Sequence, residues 1–323
     1  MSTTASTPTR TGGVLAVHAH PDDETLSTGA LLATWASAGL PAVVVTCTRG
    51  ERGEVIGALA SLEGDGEALA RHRERELAAA TTALGATQLF LDALPLRPAD
   101  AGGGARYEDS GMAWVATGLA GAAGDVPPRA LVAVPLDEAA SRLAGLLLDR
   151  RPDLVVTYEP GGGYGHPDHV RAHAITMRAV ELATVAADGW APAVAWAVAP
   201  AQALRAGCAA LAADPRARAV LAAAADDRRA TREAPLTLPD PDGPLPSVAT
   251  DAPVDLAVEV RPVRDRLLAA LRAHATQVQA VEPLDHPDAA ACYALSNRVL
   301  APVLPVESYA WAPGRAPAAP LPL

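Results

Sequence analysis

Short, unbroken apolar runs alternate along the chain with longer segments whose apolar residues recur every three or four positions. The first run, residues 14–18, reads as a buried strand. Residues 26–38 follow as a helix, with Leu31, Leu32 and Trp35 on one side and Gly39 as its stop. Residues 41–47 form a second, β-branched strand. Strand, helix and strand at that spacing predict a right-handed parallel crossover. The alternation continues with a helix over 67–84, a strand over 88–91, a helix over 135–150, a strand over 153–158, a helix over 168–187 and a strand over 191–199. The expected fold class is therefore α/β, a doubly wound, Rossmann-like and mostly parallel sheet spanning residues 14–199. After residue 200 the periodicity blurs into Ala-rich helix and a Pro- and Asp-rich stretch. A strand over 257–260 and a helix over 261–273 then emerge. Residues 200–311 read as an irregular C-terminal cap whose last elements pack on the core, and residues 1–13 and 312–323 as loose tails. A long irregular segment, 95–128, interrupts the core and reads as functional or disordered.

The polar positions change this picture at two strand ends. The first strand runs into His18-Ala-His20-Pro21-Asp22-Asp23-Glu24. The strand over 153–158 runs into Glu159-Pro-Gly-Gly-Gly-Tyr164-Gly-His166-Pro-Asp168-His169. Taken alone, the first stretch could be a solvated turn, with Asp22 or Asp23 capping the next helix. In a doubly wound sheet, however, the two strand ends share one edge, so the two loops can face each other. With the helix that follows, they bring together His18, His20, Asp22, Asp23, Glu24, His166, Asp168, His169 and His173, including five of the eight histidines. Two imidazoles and a carboxylate from this set would hold zinc and leave a coordination position open for water. A spare carboxylate could then act as base and a spare histidine as electrophile or acid. No GxGxxG follows the first strand, which removes the main support for a dinucleotide site. His173 can be a ligand, a support or a surface residue. His72 reads as part of a polar helix face, and His274 as compensating a helix C-terminus. His286-Pro-Asp288 repeats the local letters but follows no expected strand.

Composition then narrows the function classes. The 323 residues carry a net charge of −11, and all 26 basic residues are arginine, with no basic run. Nucleic acid and anionic membrane surfaces are poor partners for such a chain. No apolar window is long enough to span a membrane without charges, Pro or Gly. Cys47, Cys208 and Cys292 are far apart and form no CxxC, so no disulfides are expected. The N-terminal residues lack the apolar core of a secretion signal, and a cytoplasmic location is expected. Assembly into a homo-oligomer stays open.

His18-Ala-His20-Pro-Asp-Asp-Glu24 and His166-Pro-Asp-His169 resemble the motifs of the LmbE-like, PIG-L type zinc-dependent de-N-acetylases. Gly53-Glu54-Val-Ile-Gly57, Asp109-Ser-Gly-Met112, Gly162-Gly-Tyr-Gly165 and His274-Ala-Thr-Gln-Val278 are similar to the branch of that family in mycothiol biosynthesis. The resemblance covers residues 14–311 and is weakest over 200–250. It implies hydrolysis of the N-acetyl group of GlcNAc-inositol, a small neutral substrate. The alternatives are cleavage of mycothiol S-conjugates and deacetylation of another amino sugar. It implies one zinc ion, with ferrous iron also suited, held by His20, Asp23 and His169. Asp22 would be the general base, His166 a cationic partner to the oxyanion or leaving amine, and Tyr164 would polarise the carbonyl. Arg73, Asp109, Met112 and, less directly, Glu54 would bind substrate. His18 and Glu24 are left with supporting roles. A non-catalytic binder on the same fold is disfavoured by the complete set of acids and histidines.

Overall fold

The computed structural model describes residues 12–96, 106–116, 119–187, 189–231 and 234–322. Strands β1 (Val14–His18), β2 (Ala42–Thr46) and β3 (Thr87–Phe90) are joined by helices α1 (Asp23–Ser37) and α2 (Gly66–Leu84). A hairpin of β4 (Met112–Ala116) and β5 (Leu119–Ala122) follows. The alternation then resumes with α3 (Leu136–Arg150), β6 (Leu154–Tyr158), the single turn α4 (Gly162–Gly165), α5 (Pro167–Ala186) and β7 (Ala193–Pro200). The remaining elements are α6 (Ala201–Ala213), α7 (Pro215–Thr231), β8 (Ala249–Thr250), β9 (Leu256–Glu259) and α8 (Arg264–Ala273), then β10 (Gln279–His286), β11 (Ala289–Ala294), β12 (Leu300–Val303) and β13 (Val306–Trp311).

The main sheet has the order β3-β2-β1-β6-β7-β13-β9, with β8 also pairing with β7. Strands β3 to β7 of this order are mutually parallel, as expected. Its unbroken apolar strands follow from burial on both faces. Val14 and Ala16 join Leu31 and Trp35 of α1 in one core, whereas Leu15 and Val17 join Leu143 of α3 and Ile175 of α5 in the other. The chain builds outward from β1 to β3, then returns to place β6 on the other side of β1. This reversal is the switch point at which open α/β sheets bind ligands, and it makes the two histidine-bearing loops neighbours.

Four expectations are corrected. The last elements of residues 200–311 do more than pack on the core: β13 extends the main sheet antiparallel to β7, β9 pairs antiparallel with β13, and α8 packs beside α1. Glu307 of β13 even accepts the N–H groups of Ala30 (2.6 Å) and Leu31 (2.9 Å), inserting into the middle of α1. Only α6, α7 and β10–β12 surround a separate small core, around Leu211, Leu284, Cys292 and Leu300. Second, β10–β12 form a meander that the hydrophobic pattern did not announce, because β11 is almost all small residues and β10 contains Pro283. His286 consequently does end a strand, but in that separate sheet. Third, residue 312 does not begin a loose tail: Ala312 is buried, its N–H bonds Val194 O at 2.9 Å, and Val194 N–H bonds Arg315 O at 3.0 Å. Residues 1–11 lie outside the described residues. Fourth, the irregular segment over 95–128 contains the β4–β5 hairpin. Among the described residues, no helix is long and apolar enough to cross a membrane.

Candidate metal centre and active site

The end of β1 decides between the two readings of its acids. α1 begins at Asp23, and Asp22 occupies the N-cap position but makes no side-chain capping bond. Its backbone sits at φ 113°, a left-handed value that costs a non-glycine residue about 1–3 kcal/mol. The capping reading therefore fails, and the Asp22 carboxylate is left for other work. Asp23 Oδ2 accepts the His20 N–H at 2.9 Å, which folds the turn back on itself. Burial, reinforced by the Asp23 carboxylate, pushes Asp22 up to about 6 despite the Arg73 guanidinium 3.5 Å away. Burial would also raise Asp23, but His169 and His20 beside it hold it well below the usual carboxylate range.

The loop after β6 is shaped differently. Gly162, Gly163 and Gly165 all have positive φ, and Tyr164 between them is not helical. Pro167 opens α5, where proline is tolerated because the first-turn N–H has no helical partner. His166 Nδ1 accepts the Asp168 N–H at 3.1 Å. Burial, with His20 and His169 adjacent, pushes His166 down to about 2. Tyr164 lies with its ring centroid 5.1 Å from that of His169, and burial together with Asp23 keeps its phenol protonated.

The two loops converge on one centre. Donor atoms of His20, His166 and His169 lie within 4.8 Å of one another, as do those of His20, Asp109 and Asp168. The outward nitrogens of two histidines are engaged: His169 Nδ1–H donates to Gly162 O at 3.0 Å, and His20 Nε2 meets Asp168 Oδ2 at 3.2 Å. Such partners fix the tautomer and direct the other nitrogen inward. Inward, His20 Nδ1 is 3.4 Å from Asp23 Oδ2 and His169 Nε2 is 3.3 Å from Asp23 Oδ1. His169 Nε2 is buried and has no hydrogen-bond partner. A bare imidazole lone pair facing a carboxylate oxygen is repulsive unless a cation lies between them. Three buried carboxylates, Asp23, Asp109 and Asp168, also surround His20. Leaving several buried charges unbalanced would cost several kcal/mol per ion, at the order of magnitude set by desolvation. The donor set thus fits a divalent cation.

The other expected residues fall around this centre. Asp109 is buried, accepts the Gly111 N–H at 2.8 Å, and its Oδ1 lies 3.7 Å from His20 Nε2. Although burial opposes it, His20 holds Asp109 well below the usual range. Arg73 is 2 % exposed and donates to Gly50 O and Pro21 O, beneath the β1 loop. Glu54 is exposed and lines a neighbouring cavity of about 450 Å³ with Glu51, Arg52, Glu63 and Glu108. Met112 opens β4 beyond Asp109. His173 Nδ1–H bonds Tyr158 O at 2.9 Å, which makes it structural. His18 is fully buried on Thr28 Oγ1 at 2.9 Å, and burial pushes it down to about 4. Tyr158 was missed by sequence reasoning: it stacks on His169 at 4.2 Å and its hydroxyl accepts the Ala19 N–H at 2.8 Å. Its place at the end of the second histidine-bearing strand was the available signal. Ser110, on both oxygens of Asp168, was missed too.

A buried histidine–aspartate centre at the switch point of a parallel sheet is the donor set that metal-dependent hydrolases use. The chain belongs to the PIG-L GlcNAc-PI de-N-acetylase family, whose model matches residues 15–180. It is accordingly an N-deacetylase of a metal-dependent family. Its relatives include a 1D-myo-inositol 2-acetamido-2-deoxy-alpha-D-glucopyranoside deacetylase of Kineococcus radiotolerans, 44% identical over 92% of this chain and 76% of the relative. Proteins of the same name from Rhodococcus erythropolis (42% identical, 93% of this chain, 91% of the relative) and Nocardia farcinica (44%, 95% and 92%) are similarly related.

Proposed function

We propose that the protein hydrolyses the acetamide of 1D-myo-inositol 2-acetamido-2-deoxy-alpha-D-glucopyranoside, giving acetate and the free amine, with a metal held by His20, Asp23 and His169. The observation that carries the metal assignment is the pair of inward nitrogens, His20 Nδ1 and His169 Nε2, facing the two oxygens of Asp23. The substrate assignment is supported by three relatives of that name, each matching more than nine-tenths of this chain. Zinc is the proposed metal; ferrous iron suits the same imidazole and carboxylate donors.

A cation bound there supplies Lewis acidity toward water and the amide oxygen. Asp22 takes a proton from the attacking water as the oxygen–carbon bond forms. Its carboxyl, raised to about 6, combines an available ionised form with useful basicity at neutral pH. The Tyr164 hydroxyl donates to the carbonyl oxygen as negative charge develops there; a well-placed donor of this kind is worth about 3–4 kcal/mol. The Asp22 carboxyl, now carrying the water proton, gives it to the amide nitrogen as the carbon–nitrogen bond breaks, while His166, whose Nδ1 accepts the Asp168 N–H, presents Nε2–H to the oxyanion. Asp109 accepts a substrate hydroxyl in this reading.

Acetate release from the GlcNAc-inositol, from GlcNAc alone and from a mycothiol S-conjugate, by metal-loaded and metal-stripped protein, tests the reading. The inositol-linked substrate is expected to be turned over fastest, and stripped protein to be inactive. Faster cleavage of the conjugate would reassign the substrate, and full activity without metal would remove the metal assignment.

A further inference from the structure

The strained backbone of Asp22 raises the question of what holds it there. Its N–H donates to Glu24 Oε2 at 2.9 Å, across a span of only two residues. The second oxygen of the same carboxylate, Oε1, meets His274 Nε2 at 2.8 Å and accepts the Thr25 hydroxyl. Glu24 and His274 are both fully buried. They contact neither the inward nitrogens nor the cavity, and the proposed reaction gives them no work. Burying a carboxylate is tolerable only when it is paired and hydrogen-bonded, and both Glu24 oxygens are, one of them to the Asp22 backbone.

His274 is itself firmly held. It ends α8, and Gln277 N–H and Val278 N–H return to its carbonyl at 2.9 and 2.8 Å. Thr276 N–H and hydroxyl bond Glu76 of α2 at 2.8 and 2.6 Å, and Ile56 N–H bonds Thr276 O at 3.1 Å. A rigid turn from the far end of the chain therefore clamps Glu24, and Glu24 clamps the backbone of Asp22.

We infer that Glu24 is a positioning residue that aims the Asp22 carboxylate, and that His274 locks Glu24 in place. The inference rests on Asp22 being the base. Misplacing a reacting group by about an ångström can cost on the order of 100-fold in rate. Glu24→Ala is thus expected to lower kcat by about 100-fold while KM and bound metal per chain stay within about twofold. Glu24→Gln keeps an acceptor for the Asp22 N–H and is expected to recover most of that loss. His274→Ala is expected to fall between them.

The distinguishing measurement is a double-mutant cycle with Asp22→Asn. If Glu24 acts through Asp22, the double variant is no slower than Asp22→Asn alone. Additive losses, a Glu24→Ala variant with unchanged kcat, or losses that track lost metal would each overturn the inference. Should Glu24→Ala fail to fold, Glu24→Gln and His274→Ala carry the same cycle, and unchanged kcat in both would overturn it. An Asp22→Asn variant of normal activity would sink the base assignment itself, a different failure.

Discussion

The two loops that build the centre reach a fixed shape by opposite routes. The loop after β1 contains no glycine between His18 and Glu24, and its strained position falls on Asp22, the residue proposed to react. Side chains hold it: Glu24 and Asp23 on backbone N–H groups, and Arg73 on Pro21 O. The loop after β6 places its left-handed positions on Gly162, Gly163 and Gly165 and leaves its histidines on ordinary backbone. Glu159 binds the N–H groups of Gly161 and Gly163, and Ser247 in turn donates to Glu159 at 2.8 Å. One loop stores strain at the chemistry and needs strong side-chain clamps. The other relieves strain with glycine and needs only light support.

The largest effects should come where both loops serve the same ion. His169→Ala removes a donor from the β6 loop and His20→Ala one from the β1 loop, and each is expected to lose the metal and nearly all activity. Metal analysis of the purified variants, alongside acetate release, checks this. If His169→Ala bound metal at parent affinity, the β6 loop would be a wall of the site and not half of its centre.

Asp22→Asn comes next and separates base from ligand. Loss of a general base typically costs about 10²–10⁴-fold. The variant is expected to lose activity within that range and to keep its metal. Since Asp22 works ionised, parent activity should fall as pH drops through its pKa. Burial puts that value at about 6, and a dication beside Asp23 would pull it lower. The acid limb of the parent kcat profile is therefore expected at or below about pH 6. An unchanged limb in the residual activity of Asp22→Asn would assign the titration to another group.

The chemistry of both loops was legible because it is local: ligand-type residues crowd directly behind two apolar strands, and parallel topology forces those strand ends together. His18 and Glu24 were legible as supports, but their partners were not. Glu24 and His274 are 250 positions apart, and nothing in the helix-ending pattern around His274 indicates a buried carboxylate partner. Arg73 carries a helical pattern that fits solvent as well as burial, and only the fold shows it beneath the β1 loop. The C-terminal strands were hidden for a compositional reason. β11 is Ala289-Ala-Ala-Cys-Tyr-Ala294, which lacks the β-branched signal that made β2 plain.

The smallest effect, and the finest test of the contrast, is on the glycines. A Cβ at Gly162 would meet Val170 N at 2.8 Å and His169 Cβ at 2.9 Å, whereas one at Gly163 would meet nothing within 4 Å. Both have positive φ, 69° and 77°, so alanine carries a similar backbone cost of about 1–2 kcal/mol at each. Gly162→Ala adds a clash with the backbone and side chain of the His169 turn, and it moves the carbonyl that orients the His169 ring. It is expected to lower kcat/KM by about tenfold through weakened metal binding, as loss of an outer partner does. Gly163→Ala is expected to lower the unfolding free energy by a similar backbone amount with metal affinity unchanged. Metal titrations and denaturant unfolding of the two variants check this. Equal metal affinities would mean that glycine serves only the backbone conformation of this loop, and that the carbonyl of Gly162 is not what aims His169.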